Sequence, residues 1–264
     1  MTEEATLPIV VETEIRERVG YITLNRPERR NALSYAMVTQ LKQALSQWQQ
    51  DPSVRIIVLR AKGTVFCSGA DIEYLQKLQD YTFQENLTDS LNLMELYMMM
   101  YRYPKPLIAQ VEGPALAGGA GLVTVCDLAV ATPNASISYP EAKVGFLPAM
   151  VSYFLLRRIG EAWARQLLIT AEPFSAEKAH AIGLFHYLVS PEQIANFVHE
   201  LAVKIAKQNS PTSLEFTRKL IADIQDMPLE TGLQFAAKMN AHARATEDFR
   251  RGIQAFLSKQ KIEW

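Results

Sequence analysis

Leu107-Ile108-Ala109-Gln110-Val111-Glu112-Gly113-Pro114-Ala115-Leu116-Ala117-Gly118-Gly119-Ala120-Gly121 sets the architecture of this chain. Its first residues form a short, almost unbroken apolar run, the pattern of a strand covered on both faces of a sheet. Gly113-Pro114 ends the run, and the small residues that follow let the backbone turn sharply and a ligand approach it closely. The theme occurs once more upstream, where the apolar run 54–59 leads into Phe66-Cys67-Ser68-Gly69-Ala70-Asp71. If each loop opens a helix, its first N–H groups lack an intrahelical acceptor and point outward. Two such donors converging on one point make an oxyanion hole, commonly the largest electrostatic contribution in acyl chemistry. Taken singly, either loop is more simply a tight strand-to-helix turn.

Outward from these loops, residues 9–12 and 19–24 read as strands, with alternating and β-branched apolar residues. Asn25-Arg26-Pro27 breaks the chain. Ser34 is placed to cap a helix whose Met37, Leu41, Ala44, Leu45 and Trp48 fall at helical spacing. A helix is predicted near 85–101 and short strands at 128–131 and 135–138. From about Met150 the pattern becomes almost wholly helical, through 193–209, 211–226 and 229–256. Mixed strands and helices followed by helices alone predict an α/β core with a helical C-terminal module.

The whole-chain properties narrow the function. A hydrophobic fraction of 48% and a charged fraction of 21% over 264 residues are those of an ordinary globular protein with ample core. Lys and Arg total 27 against 28 for Asp and Glu, so no global field recruits nucleic acid or an anionic membrane, and neither is expected as a partner. No uninterrupted apolar run approaches the ~20 residues that span a bilayer. Residues 1–8 carry Glu3 and Glu4 and no apolar segment, unlike a secretory or transit leader. Cys67 and Cys126 each sit in an apolar run, as buried reduced thiols do, and a cytoplasmic location is expected.

Glu141 is the candidate proton carrier. It lies in Ser138-Tyr139-Pro140-Glu141, with Gly145, Phe146 and Pro148 close behind. A carboxylate in such apolar surroundings has a raised pKa suited to general acid–base work, although a lone Glu beside a Pro is also an ordinary solvated turn residue. His180, His186, His199 and His242 lack ligand spacing, and no metal is expected. Met98-Met99-Met100 reads as helix core, or as the lining of an adaptable acyl pocket.

In order, these segments resemble the enoyl-CoA hydratase/isomerase (crotonase) superfamily from about Val10 to Trp264. The resemblance rests on Ile22-Thr23-Leu24-Asn25-Arg26-Pro27-Glu28 with Asn31-Ala32-Leu33, on Phe66 through Ile72, and on Gly113-Pro114-Ala115-Leu116-Ala117-Gly118-Gly119. Cys126-Asp127, Pro140-Glu141, Gly145, Gly183-Leu184 and the tail Thr246-Glu247-Asp248, Gly252, Ala255-Phe256 and Lys259 follow in family order. It implies a crotonase-like spiral of ββα turns over residues 1–205 and a helical oligomerisation module over 206–264, assembled as a homotrimer or a hexamer. It implies an oxyanion hole at the N–H groups of Ala70 and Gly118, with Glu141 as the catalytic acid/base. Coenzyme A, part of the substrate rather than a cofactor, would lie along Arg26, Asn31, Ala32, Leu33, Ala70, Asp71, Ile72 and Gly118. Phe256 and Lys259 of a neighbouring subunit would flank its adenine and phosphates. An acyl-carrier-protein thioester is the other possible carrier.

One departure divides the possible reactions. Hydratases of the superfamily carry a second glutamate two residues after the Gly-Gly pair, where this chain has Gly121. The stretches Gly145-Phe146-Leu147-Pro148-Ala149 and Phe154-Leu155-Leu156-Arg157-Arg158-Ile159-Gly160 resemble methylglutaconyl-CoA hydratase-like members. Reversible hydration of a 2-enoyl thioester, 3-methylglutaconyl-CoA among the candidates, is the preferred expectation. A single-acid Δ3,Δ2-enoyl-CoA isomerase is the close alternative. A non-catalytic acyl-CoA-binding scaffold is the third, disfavoured by the retention of Glu141 and both small-residue loops.

Overall fold

A computed structural model describes residues 8–264, with only the backbone of Ile72 described; the leader-free expectation therefore falls largely on residues outside those described. The chain opens with a hairpin of β1 (Val11–Arg16) and β2 (Val19–Leu24). Glu17 and Arg18 both take positive φ (49° and 65°), the conformation a two-residue hairpin turn needs. β1 extends well past the strand predicted at 9–12. Only Val11 of it is buried, so its polar residues hid a strand that pairing with β2 creates.

α1 (Tyr35–Gln49) follows, capped by Ser34, whose hydroxyl accepts from the Met37 N–H at 3.3 Å. β3 (Ile56–Ala61) leads to α2 (Ile72–Leu78), capped by Asp71, and α3 (Phe83–Tyr101), capped by a reciprocal Thr82–Glu85 box. Then come β4 (Leu107–Val111), β5 (Ala115–Leu116), α4 (Gly118–Val125), β6 (Leu128–Ala131) and β7 (Ser136–Ser138). A 3-10 turn, Pro140–Val144, precedes α5 (Ala149–Thr170), which breaks at Gly160 (φ 74°). β8 (Phe174–Ser175), α6 (Ala176–Ala181) and β9 (Tyr187–Leu188) interrupt the helical run expected there. These strands are two residues each, too short for any periodicity to register.

Six strands form one sheet in the order β1-β2-β3-β4-β6-β9, parallel throughout except for the β1–β2 pair. β5, β7 and β8 form a second sheet, extended by bridges between Cys67 and Ala115 and between Leu33 and Ala70. Successive turns of the chain thus place a strand in the large sheet, a short strand or bridge in the small one, and then a helix. This is the expected spiral of ββα turns.

The central strands of the large sheet, β2, β4 and most of β3 and β6, are buried on both faces, which is why they read as apolar runs. One face packs against α1, α3, α4 and α5 through residues such as Leu59, Ala109, Leu41, Tyr97 and Leu155. The other is covered by α7 (Ile194–Gln208), whose Ile194, Val198, Ala202 and Ala206 meet Val19, Ile56, Ile108 and Val130. Ala206, at the end of α7, is buried in this core. α8 (Pro211–Ile224) is docked by Arg218, whose Nε donates to Asp127 Oδ1 and Oδ2 (2.9 and 2.8 Å) and whose Nη2 donates to the Met100 carbonyl (3.1 Å). The helix expected over 229–256 is instead two, α9 (Leu229–Arg244) and α10 (Glu247–Leu257), because Thr246 caps the second from the Phe249 N–H. Neither contains a buried residue.

Candidate active site

The two Gly-bearing loops meet. A methyl group added to Gly69 would stand 2.7 Å from the Ala117 Cβ and 3.6 Å from the Gly118 nitrogen, so the loops are in van der Waals contact. Gly69 holds φ at 86°, which favours glycine. On either side of Ala70, the Gly69 carbonyl accepts from the Leu33 N–H (2.7 Å) and the Asp71 N–H donates to the Leu33 carbonyl (3.3 Å). The Gly69 carbonyl and the Ala70 N–H belong to one trans peptide and point opposite ways, so the Ala70 N–H points away from Leu33. Gly118 is the first residue of α4, where an N–H has no helical acceptor. Among the described residues, neither the Ala70 nor the Gly118 N–H donates a backbone hydrogen bond.

The turn that aims Gly118 is strained. Ala117 takes φ 50° and ψ −124°, a conformation alanine rarely adopts. It is held by the Ala117 N–H donating to the Ser138 carbonyl (2.9 Å) and by the Gly121 N–H donating back to the Ala117 carbonyl (3.0 Å).

Glu141 reaches this region through strand register. Leu116 pairs with Ser138, so Gly118 and Glu141 emerge two and three residues later from neighbouring strand ends. Tyr139 anchors the exit. Its O–H donates to Thr124 Oγ1 (2.7 Å), whose own proton goes to the Ala120 carbonyl (2.8 Å). Glu141 is 8% exposed, and its Oε2 is buried with no hydrogen-bond partner among the described residues. Burial pushes its carboxyl pKa above the ordinary value, only partly opposed by its own backbone N–H. A buried unsatisfied carboxylate oxygen costs stability and marks a site where function takes precedence.

The remaining expected residues divide by location. Arg26 and Asp71 form a 2.5 Å ion pair beside the Ala70 loop, and Asp71 also caps α2 from the Glu73 N–H. Asn31 is fully buried, and its amide is committed within the protein. Its Oδ1 accepts from the Arg26 N–H, and its Nδ2 donates to the Lys62 and Val65 carbonyls, each at 2.8 Å. It therefore shapes the segment from the inside. Ala32 and Leu33 are 5% exposed, and Leu33 Cδ1 lies 2.9 Å from where a Gly118 side chain would begin. The side chain of Ile72 lies outside the described residues. Phe256 is 79% exposed on α10, and among the described residues no hydrogen bond or ion pair joins it or the Lys259 side chain to this region.

Gly121 is not merely a missing carboxylate. A Cβ there would lie 2.5 Å from Val151 Cγ1, 2.8 Å from the Tyr97 phenol oxygen and 2.9 Å from Tyr97 Cζ. The space a side chain would enter is occupied. Tyr97 had no signal of its own in the sequence, where it is one more large residue on the core face of α3. A buried phenol needs a partner, but which partner depends on the packing of α3 against α4. Cys67 and Cys126 are buried, and burial pushes both thiols up to about 12, which disfavours the thiolate. Among the described residues no group of His, Cys, Asp and Glu is arranged to hold a metal, and no helix is long and apolar enough to cross a membrane.

Comparison with known proteins gives the family. The enoyl-CoA hydratase/isomerase family model matches residues 14–264. A Thermus thermophilus protein described as "Putative enoyl-CoA hydratase" is 43% identical, over 92% of this chain and 95% of its own length. The 2,3-dehydroadipyl-CoA hydratase of Escherichia coli is 32% identical, over 93% of this chain and 94% of its own. A solved enoyl-CoA hydratase from Mycobacterium smegmatis superposes with a TM-score of 0.90 at 30% identity, covering 97% of this chain and 98% of that one. The chain belongs to the enoyl-CoA hydratase/isomerase family, and its fold is the crotonase fold.

Proposed function

We propose that this protein catalyses the reversible hydration of a 2-enoyl-CoA thioester, with Glu141 as the single side chain that carries protons. The observation that carries the reading is the buried Glu141 carboxylate with its unpartnered Oε2, beside the loops that present Ala70 and Gly118. The thioester carbonyl oxygen accepts from the two N–H groups, which bind the enolate more tightly than the ground-state carbonyl, and that difference lowers the barrier. In hydration, the water oxygen bonds to Cβ as Glu141 takes a proton from it, and Glu141 then delivers that proton to the α-carbon of the enolate, which restores the carboxylate and the thioester carbonyl. Arg26, Asp71, Ala32 and Leu33 line the approach for coenzyme A. Leu229, Leu233, Ile253 and Phe256, exposed on helices with nothing buried, support assembly into trimers that bring Phe256 and Lys259 to a neighbour's coenzyme A.

Gly121 favours a second reading. Without a second carboxylate to position water, Glu141 would move a proton between Cα and Cγ of a 3-enoyl thioester instead. Reaction in H₂¹⁸O separates the two. Label at the β-hydroxyl of the product supports hydration, whereas rapid 3-enoyl to 2-enoyl conversion without label overturns it. Glu141→Gln keeps the shape and removes basicity, so kcat should fall ~100-fold or more with affinity little changed; full activity would refute the assignment.

For the acyl group we propose a short chain, 3-methylglutaconyl among the candidates. The E. coli relative, by name a hydratase of an acyl chain ending in a carboxylate, supports an acidic acyl end. A cleft of about 350 Å³ between the start of α1, α2 and α3 offers Tyr35, Tyr74, Tyr81 and Asn92, with Glu85 and Asp89 and no cation. A carboxylate-ended chain gains nothing there. Side-by-side kinetics on crotonyl and 3-methylglutaconyl thioesters therefore also read whether that cleft receives the acyl end.

A further inference from the structure

We infer that Tyr97 is a positioning residue of the oxyanion hole, its phenol clamping the Gly118 carbonyl and so holding the strained turn that aims the Gly118 N–H. The inference rests on the oxyanion-hole reading above and names a side chain that serves it.

Tyr97 lies near the end of α3 and is wholly buried. Its O–H donates to the Gly118 carbonyl at 2.7 Å. Among the described residues this is the one side-chain hydrogen bond made to residues 115–119. The other restraints on the turn are backbone bonds: Leu116 N–H to the Cys67 carbonyl, Ala117 N–H to the Ser138 carbonyl, and Gly121 N–H to the Ala117 carbonyl. The Gly121 bond holds the Ala117–Gly118 peptide, which carries the Gly118 N–H, by its carbonyl; the next peptide, which carries the Gly118 carbonyl across the Gly118 Cα, is gripped by Tyr97. A backbone held in a sparsely populated conformation persists only where its surroundings over-determine it, and Tyr97 adds a side-chain restraint on the peptide adjoining the one that carries the Gly118 N–H.

The glycines around Tyr97 fit the same role. A Cβ on Gly118 would come within 3.1 Å of the phenol oxygen, and one on Gly121 within 2.8 Å. Glycine at both positions admits the phenol to α4, and the absence of a side chain at 121 follows from it. The Tyr97 ring is wedged edge-on against Phe154, with centroids 6.1 Å apart, so the clamp is itself fixed. Burial first, and then the nearby Cys67, Tyr139 and Glu141, push the phenol pKa well above its ordinary value. The phenol therefore stays protonated and keeps donating wherever the protein is folded. With its proton engaged at Gly118, Tyr97 is no general acid. It acts through the peptide it holds.

Tyr97→Phe removes one oxygen and keeps the ring, a loss that a folded domain tolerates. The assay is binding of cinnamoyl-CoA, whose conjugated thioester absorbs further to the red when its carbonyl is polarised. Wild-type protein should show a red shift, and Glu141→Gln should keep it while losing turnover. Tyr97→Phe should show a clearly smaller shift at similar affinity, with kcat lowered about 10-fold and KM nearly unchanged, the signature of an interaction realised in the transition state. A merely structural role would lower the melting temperature without moving the shift. A full red shift and wild-type kcat in Tyr97→Phe would overturn the clamp and leave the oxyanion hole standing. No red shift in the wild-type protein would instead overturn the oxyanion hole itself. Should Tyr97→Phe fold poorly, site-specific replacement of Tyr97 by 3-fluorotyrosine, a stronger donor of similar size, reads the same clamp. An enlarged shift supports it, and an unchanged one overturns it.

Discussion

Replacing Gly121 with alanine sets two effects against each other. In the interior of a helix, alanine is favoured over glycine by ~1 kcal/mol. Here the new Cβ would stand 2.5 Å from Val151 Cγ1 and 2.8 Å from the Tyr97 oxygen, against an optimal carbon–carbon separation of ~3.5–4.0 Å. Neither neighbour yields easily. Val151 is β-branched and 4% exposed, and the Tyr97 oxygen is tied to Gly118. Overpacking costs ~1–3 kcal/mol, and a 2.5 Å contact with a stiff neighbour falls in the upper part, ~2–3 kcal/mol, so the overlap should win by about 1–2 kcal/mol once the propensity gain of about 1 kcal/mol is subtracted. The melting temperature should drop by about 2–8 °C. Urea unfolding followed by circular dichroism, at one fixed protein concentration, measures it. Val151→Ala in the same chain should recover part of the loss as a positive coupling. Gly121→Glu should be worse still and should not raise hydratase turnover, because the carboxylate cannot enter a filled space. A Gly121→Ala protein as stable as wild type, or more stable by the propensity gain, would refute this account of the missing glutamate.

The acidic limb of kcat/KM should lie above the ordinary glutamate range, because Glu141 must be ionised to act as base and burial raises its pKa; in Glu141→Gln that limb should vanish from the residual rate. His186 has its pKa lowered to about 4 by burial and by the Arg158 guanidinium, while its Nδ1 accepts from the Ala129 N–H at 3.0 Å. The unfolded chain therefore binds the proton first, and stability should fall as pH drops from about 6.5 towards 4, less steeply in His186→Asn when melting is followed against pH. Asp127→Ala should destabilise more than Arg218→Met by chemical denaturation, since the first strands a buried guanidinium and the second removes it. Lys259→Ala should weaken coenzyme A binding in calorimetry, with a larger loss at low salt, where screening is least; a salt-independent loss would remove phosphate contact as its role.

The spiral was legible because its parts obey local rules. β2, β4 and β6 lie where buried apolar runs predicted them, and Ser34 caps α1 above the expected face of Met37, Leu41, Ala44, Leu45 and Trp48. The two small-residue loops and the Pro140-Glu141 step could be picked out along the chain, and the family resemblance supplied the roles proposed for Ala70, Gly118 and Glu141. What the chain's order of residues could not express was proximity. Two-residue strands such as β8 and β9 carry no periodicity and exist because a neighbour offers them hydrogen bonds. The emptiness of position 121 read as a lost group, and only the packing of α3 on α4 showed Tyr97 and Val151 standing in its place. Asn31 illustrates the same limit, for its motif is local while the carbonyls its amide donates to, those of Lys62 and Val65, lie 31 and 34 residues further along the chain. Sequence thus determined which groups the protein has to work with, because composition and local periodicity are properties of neighbours along the chain. Which of them share a space was decided by tertiary packing, because excluded volume and hydrogen-bond geometry act between residues that the chain keeps far apart.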